Sequence, residues 1–453
     1  MTRKTSQLML HSWLTDKQYN KTSDILNWIK HLNDTVSVDI KKTSLVDTKW
    51  FYDEQAGQIV NERGTFFQIS GIRNGEKEQP ILIQNEIGYL GILCKPIDGI
   101  LHFLIQAKIE PGNVNNIQLS PTLQATKSNF TQAHGGVKPA YLEWFLNCEK
   151  HEIVVDQIQS EQSSRFLGKR NRNIIIILDE DIEIDELPSH KWLTLRQIKQ
   201  LIRIDNLVNM DTRTVLSCIP FYKCDFSILD SPLAHSISQE NQPEIVQSIY
   251  CHFNNYKMFN SCNSVLVPLY SIKNWETKVH NGVEEFVSKS EYPFKIVFCN
   301  ISIEGREVRC WGQPLFEATG MAVFGLFARI HNGVYEFLVR AMPEIGCFDK
   351  IELGPTVQLE AVEKAEDSIG ELFFKQYNSK HGIICDVILS EEGGRFYHEQ
   401  NRNVIIEIED DVISTPPPGY WWCTYRTLNK LTQINNILNI QLRNLLSLLE
   451  VKQ

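Results

Sequence analysis

Several common signatures are missing from this sequence, and each absence removes a class of function. Its 11 cysteines include no C-x-x-C pair, and its 12 histidines no H-E-x-x-H or H-x-H spacing. The cysteines are scattered and odd in number, which fits reduced thiols of a cytoplasmic protein better than a disulfide frame or a zinc site. No metal set is expected. There is no G-x-G-x-x-G string, so no dinucleotide fingerprint and no nicotinamide cofactor is expected. The longest apolar run, residues 174–178, is far too short to span a bilayer. The opening "MTRKTSQLMLHSWL" has two basic residues and no long apolar centre, so a secretory leader is not expected either. A formal net charge of -10 argues against nucleic-acid binding through the whole surface.

What is present is an ordinary soluble composition, 42% hydrophobic and 22% charged over 453 residues, enough for two or three domains. The chain is also written twice. "YLGILCKPIDGILHFLIQAKIEPGNVNNIQLSPTLQAT" from Tyr89 aligns without a gap to "VFGLFARIHNGVYEFLVRAMPEIGCFDKIELGPTVQLE" from Val323. Gly91 meets Gly325, Gly99 meets Gly333 and Pro121 meets Pro355, an offset of 234 residues. Further on, "SEQSSRFLGKRNRNIIII" from Ser160 meets "SEEGGRFYHEQNRNVIIE" from Ser390, now offset by 230. A period that long is no solenoid repeat. It reads as two copies of one domain, 1–235 and 236–453, with the seam near the Ser-, Pro- and Gln-rich residues 230–243.

Each copy shows the same order. In the first, a helix over "SDILNWIKHLND" precedes strands at "GTFFQISGI" and "YLGILCKP". A turn at residues 97–99 makes a hairpin with "ILHFLIQAK". A short helix near "AYLEWFL", two strands and an amphipathic helical region from 194 to about 218 follow, with Thr194 as cap. Strands with few helices between them predict an α+β fold built on a mixed sheet.

The copies differ in one direction. His102 faces Glu336, Lys108 faces Met342, Asn113 faces Cys347, Gln118 faces Glu352, Thr126 faces Glu360, and Lys169-Arg170 faces Glu399-Gln400. The first copy is the more polar or basic throughout, which points to a working site there and to a degenerate site or a dimerisation module in the second. Strand alternation puts His102, Gln106 and Lys108 on one face, with Glu110 just beyond. His102 reads equally as a half-buried strand histidine, and Glu110 as a turn carboxylate. The segment "QAKIEPGNVNNIQLSPTLQATKSNF" is dense in uncharged hydrogen-bonding groups, among them Asn113, Gln118, Ser120, Thr122, Gln124, Thr126, Ser128 and Asn129. Such a set suits a polar, mostly neutral ligand. Lys169, Arg170 and Arg172 form either a solvated face or a diphosphate subsite. Asn171 and Asn173 are structural or phosphate-facing. In "VNMDTRT", Asp211 reads as a helix cap and Arg213 as a reach toward base or phosphate. His134, before two glycines, suits a reactive or hinge role.

Together, "HFLIQAKIEPGNVNNIQLSPTLQATKSNFTQAHGG", "YLEWFL", "QSEQSSRFLGKRNRN" and "VNMDTRTVLSC" resemble the nucleotide-hexose 2,3-dehydratase family of deoxysugar biosynthesis. The resemblance runs through most of the first copy and, more weakly, the second. It implies a tandem Nudix-like fold, a homodimer, dTDP-4-keto-6-deoxyglucose as substrate and a downstream NADPH-dependent 3-ketoreductase. The Nudix metal helix is absent, since "YLEWFLNCEK" lacks its REUxEE centre. That disfavours a Nudix-type hydrolase; a non-catalytic nucleotide-sugar binding protein is the other alternative. The implied chemistry is removal of the C3 hydrogen beside a C4 ketone, then loss of the C2 hydroxyl, with His102, Lys108, Glu110 and His134 as candidate catalytic groups.

Overall fold

Asp98 and Gly99 both carry positive φ, 51° and 75°. A two-residue turn needs that pair of values to match strand twist. It joins Gly88–Ile97 to Ile100–Ile109 in the expected hairpin, and Asn332 and Gly333 repeat it between Ala322–His331 and Val334–Met342. The computed structural model describes residues 1–64, 66–127, 138–304 and 308–451.

Around each hairpin grows a seven-stranded sheet. In the first half the order is Glu152–Ser160, Arg170–Ile177, Gly88–Ile97, Ile100–Ile109, His190–Thr194. Two short strands, Ile117–Ser120 and Leu123–Ala125, pair on the hairpin. The second half repeats this order with Ile383–Ser390, Gln400–Glu407, Ala322–His331, Val334–Met342 and Tyr420–Thr424. One neighbour pair in each sheet runs parallel, Gly88–Ile97 with Arg170–Ile177 and Ala322–His331 with Gln400–Glu407. The fold is α+β, as expected. Alternation along Ile100–Ile109 sends Leu101, Phe103 and Ile105 into one core and Leu104 into another, so the strand is covered on both faces.

The helical region after Thr194 is two helices rather than one. Thr194 caps Leu195–Leu201 in a full capping box with Gln197. Asn206, with φ 57°, then turns the chain before Met210–Ser217. Asn209, not Asp211, caps that second helix. Its extended backbone lets Oδ1 accept the Thr212 N–H at 2.9 Å, whereas Asp211 lies buried inside the first turn. The seam also holds a helix, Pro232–Ser238, capped by Ser231. Ser236 Oγ donates to the Tyr335 carbonyl and accepts from the Tyr425 N–H; Ser12 makes the same pair of bonds with Leu101 and Leu195. Helix Pro232–Ser238 therefore serves the second half as Arg3–Leu14 serves the first, and a division at 235/236 would cut it.

The halves are laced together. Trp50–Asp53, Gln58–Asn61, Gln68–Asn74 and Lys77–Ile83 form a smaller sheet, and the second half adds Val265–Val267 to it. In return, Val38–Thr43 pairs with Phe294–Ile303 in the matching sheet of the second half. Loops clasp as well. Gly112 N–H donates to the Gly393 carbonyl at 2.7 Å, and His398 N–H donates back to Gly112. The mirror of this clasp joins Gly346 to Ser163 and Gly168.

The clasp tolerates no side chain. A Cβ on Gly112 would lie 1.6 Å from the Phe396 carbonyl oxygen. Gly112→Ala should therefore cost roughly 2–4 kcal/mol of stability. Gly99→Asn, in an open turn where Asn accepts positive φ, should cost well under about 1 kcal/mol. Denaturant melts of the two variants check this, and equal losses would contradict it.

Candidate active site

Strand Ile100–Ile109 delivers Lys108 to its end and Glu110 one step beyond. Lys108 Nζ lies 2.7 Å from Glu110 Oε1 and donates to the Gln124 carbonyl at 3.3 Å. Glu110 and Pro111 then line a cleft of about 790 Å³. Both halves build it. Lys49, Trp50, Arg63 and Phe66 come from the first, and Trp311, Gln313, Gly394 and Arg395 from the second. The Arg395 guanidinium stands 4.3 Å from the Phe67 ring and donates to the Gly394 carbonyl at 2.7 Å. The site is therefore not the property of the first half alone.

The structure does not bring the other expected residues to this point together. His102 shares the strand face but sits six residues back, roughly 20 Å along the strand. It is buried edge-on to Tyr19, its Nδ1 is 2.8 Å from the Ile100 carbonyl, and burial pushes its pKa down. A shared face is not a shared site when the rise separates its members. Lys169, Arg170 and Arg172 do not converge on it either, because each is held by a different partner. Lys169 is buried and donates to the Glu86 carbonyl. The Arg170 guanidinium stacks 3.7 Å from the Phe348 ring, and Arg172 grips Asp156 at 2.6 and 2.7 Å. Asn171 donates to Glu161 and accepts from the Gly88 N–H, while Asn173 donates to the Asn171 carbonyl. Asn401, Arg402 and Asn403 repeat these roles with Glu391 and Asp386, so this shared string holds the fold.

Much of the amide-rich segment is occupied in the same way, since buried polar groups need partners. Asn113 donates to the Asn116 carbonyl, and Gln118 exchanges bonds with Ser390 across the halves. Ser120 Oγ and Gln124 Oε1 accept from Asn209, and Thr122 bridges Leu93 N–H and the Leu104 carbonyl. Gln106 pairs in register with Ser120 and His190, and Thr126 lies half-buried beside Gly88. Arg213 is fully buried and ties the halves, donating to the Val208 and Ser390 carbonyls at 2.6 and 3.0 Å. Ser128, Asn129 and His134 lie outside the described residues.

Three further residues were not singled out from the sequence. Glu392 is half-buried, and its Oε1 accepts the Gly394 N–H at 3.0 Å. Gln313 Nε2 donates to the Gly394 carbonyl at 2.8 Å, and Arg395 flanks it. A signal existed for Glu392: the second half reads Glu392-Gly393-Gly394 where the first reads Gln162-Ser163-Ser164. It is an acid in the second half against an amide in the first, as at Glu352 and Gln118. Behind the cleft, burial pushes Glu161 up to about 7 against the pull of Lys169, and raises Asp211 with help from Glu161 and Glu392. Among the described residues no group of three or more His, Cys, Asp or Glu is arranged to hold a metal ion.

The mirror position is a second cavity of about 450 Å³. It is lined by Met342, Glu344, Gln358, Glu360, Gln79 and Ser164, the counterparts of Lys108, Glu110, Gln124, Thr126, Gln313 and Gly394, of which Glu110, Gln313 and Gly394 line the cleft. Glu363 joins Glu344 and Glu360 there, with Lys77 and Lys350 also on the lining, and Arg165 pairs with Glu360 at 2.8 Å.

The family model for NDP-hexose 2,3-dehydratase matches the chain twice, over residues 22–219 and again over 246–449. The chain belongs to this family. A dTDP-4-dehydro-6-deoxy-alpha-D-glucopyranose 2,3-dehydratase of Saccharopolyspora spinosa is 37% identical over 88% of this chain and 85% of its own. One from Amycolatopsis orientalis is 33% identical over 97% and 93%, and one from Streptomyces violaceoruber 35% over 90% and 92%. A solved ADP compounds hydrolase aligns to 36% of the chain and 81% of its own at 14% identity, with a TM-score of 0.20, too loose a superposition to argue from. Within this family member, both matched segments coincide with the two sheets.

The second cavity has a measurable consequence. Burial, then Glu360 and Glu352, push Glu344 from 4.5 up to about 8. A carboxyl raised on folding holds its proton more tightly in the folded state, so stability falls as pH rises between those values. Glu344→Gln should raise the melting temperature at pH 8 and leave it nearly unchanged below pH 4.5. A pH slope of melting temperature identical to that of the unsubstituted protein would contradict this.

Proposed function

We propose that the cleft at Lys108 and Glu110 removes water across C2 and C3 of dTDP-4-keto-6-deoxyglucose, giving the 3,4-diketo-2,6-dideoxy sugar. The observation that carries the reading is the Lys108–Glu110 pair, whose carboxylate lines the larger cavity while Met342 and Glu344 line its mirror. The C4 ketone acidifies the C3 hydrogen. Glu110 takes that proton, and the ammonium of Lys108 steadies the charge that develops on O4. Expulsion of the C2 hydroxyl leaves an enol, which becomes the diketone. No hydride moves, so the reaction asks for no redox cofactor.

Exposed Lys49 and Arg63 at the cleft mouth, beside Trp50 and Phe66, suit a diphosphate and a stacked base. They replace the diverging Lys169, Arg170 and Arg172 in that role. The reading also includes an ancestral duplication, supported by the repeated strand order, and a homodimer, as the resemblance implies. The described cysteines are all free, in keeping with the cytoplasm, and no described helix is long and apolar enough to cross a membrane. A labile diketone calls for a partner of the NADPH-dependent 3-ketoreductase class.

Incubation with dTDP-4-keto-6-deoxyglucose and mass spectrometry should show loss of one water. Lys108→Met, which copies the mirror cavity, should slow that loss by roughly 10²-fold or more, and Met342→Lys should leave it near normal. Lys108→Met with undiminished turnover would contradict the reading. In calorimetry with dTDP, Arg63→Ala should weaken binding by roughly 1.5–3 kcal/mol while Arg172→Ala leaves it unchanged; the reverse order would return the diphosphate to the sheet.

A further inference from the structure

Elimination of water needs an acid as well as a base, and the pair at Lys108 and Glu110 supplies only the base and a cation. We propose that Glu392, contributed by the second half, is the general acid that protonates the departing C2 hydroxyl. This rests on the dehydratase reading and adds a residue to it.

The geometry is set by a glycine. A Cβ on Gly394 would fall 2.2 Å from Glu392 Oε1 and 3.2 Å from Glu110 Oε2, so the two carboxyls face each other across the space a side chain would fill. They come from opposite halves and meet because the clasp lays residues 392–398 against Gly112. Glu110 has Lys108 at 2.7 Å, which assigns the carboxylate to Glu110 and the proton to Glu392. Burial pushes Glu392 up; Arg395 opposes the shift, Glu110 adds to it, and Lys108 and the Gly394 N–H oppose it further. The Gly394 N–H already donates to Glu392 Oε1, a bond the anion keeps once its proton has left. The mirror cavity has no such acid, since Gln162 stands where Glu392 does.

The protons balance. Glu110 takes the C3 hydrogen, and its bonding pair forms C3=C4 with the charge on O4. The pair then shifts to C2=C3, the C4 ketone returns, and the C2–O bond breaks. The leaving oxygen takes the Glu392 proton and departs as water. One carboxyl has gained a proton and its neighbour has lost one, so transfer from Glu110 to Glu392 restores the site without any outside reagent.

The test separates the two proton transfers. In deuterated buffer, Glu392→Gln should still exchange the C3 hydrogen of dTDP-4-keto-6-deoxyglucose, because Glu110 and Lys108 remain, while water loss falls by roughly 10²-fold or more. Gly394→Ala, whose Cβ would fall 2.2 Å from Glu392 Oε1 and 3.2 Å from Glu110 Oε2, crowds Glu392 the more and should lower water loss further than exchange, and dTDP calorimetry confirms that both variants fold and bind. Near-normal water loss in both variants would overturn the assignment, as would loss of exchange together with water loss in variants that still bind. Unsubstituted protein that binds this sugar yet neither exchanges nor dehydrates it would instead overturn the dehydratase reading beneath.

Discussion

Everything at the site depends on a reciprocal clasp between two similar halves. Each half presents a glycine, Gly112 or Gly346, into a loop of the other, so close that a Cβ would meet a carbonyl oxygen at 1.6 or 2.0 Å. Each also lends a strand to the other's smaller sheet. Buried arginines repeat the exchange: Arg213 holds the Ser390 carbonyl, and Arg443 holds the Ser160 carbonyl. Leaving either guanidinium without its carbonyl would strand a buried charge, which makes these contacts costly to break.

Two cavities follow from one clasp, and their chemistry has separated. At the cleft, Glu110 and Arg395 line the cavity, and Lys108, Lys169, Glu161, Asp211 and Glu392 lie within electrostatic reach of one another beside it. On the mirror side, Met342 and Glu399 stand in place of Lys108 and Lys169, and burial lifts Glu344 to about 8 and Glu352 to about 7. Mixed charge around a half-open cavity can hold a carboxylate beside an acid. The mirror side has no lysine at the Lys108 position, and burial raises Glu344 and Glu352 there. The same scaffold thus carries one site equipped for proton transfer and one that is not.

The sequence made local structure legible and long-range assembly illegible. The hairpin turn, the Thr194 cap and the bend at Pro121 between Ile117–Ser120 and Leu123–Ala125 all rest on rules that act over a few residues. Gly91 and Gly325, aligned between the halves, are both close-packing positions, since a Cβ on either would strike Phe145 or Phe373. Comparing the two halves drew attention to Lys108, and strand position to Glu110. It misled at His102, because a common face says nothing of distance along a strand. It misled at Lys169, Arg170 and Arg172, because each is held by a different partner, the Glu86 carbonyl, the Phe348 ring or Asp156. Gln118, Ser120 and Thr122 looked ligand-facing only while their partners in Ser390, Asn209 and Leu93 were out of view. Glu392 was passed over because the site was sought in one half, whereas the clasp builds it from two.

The central claim is that a nucleotide sugar is worked on where the halves meet at Lys108 and Glu110. A crystal structure with dTDP-4-keto-6-deoxyglucose or an unreactive analogue tests it most directly. The account predicts the sugar ring in the larger cleft, with its C4 oxygen against Lys108 and its C3 hydrogen toward Glu110. A sugar seated against Met342 and Glu344, with the Lys108 cleft left empty, would contradict it.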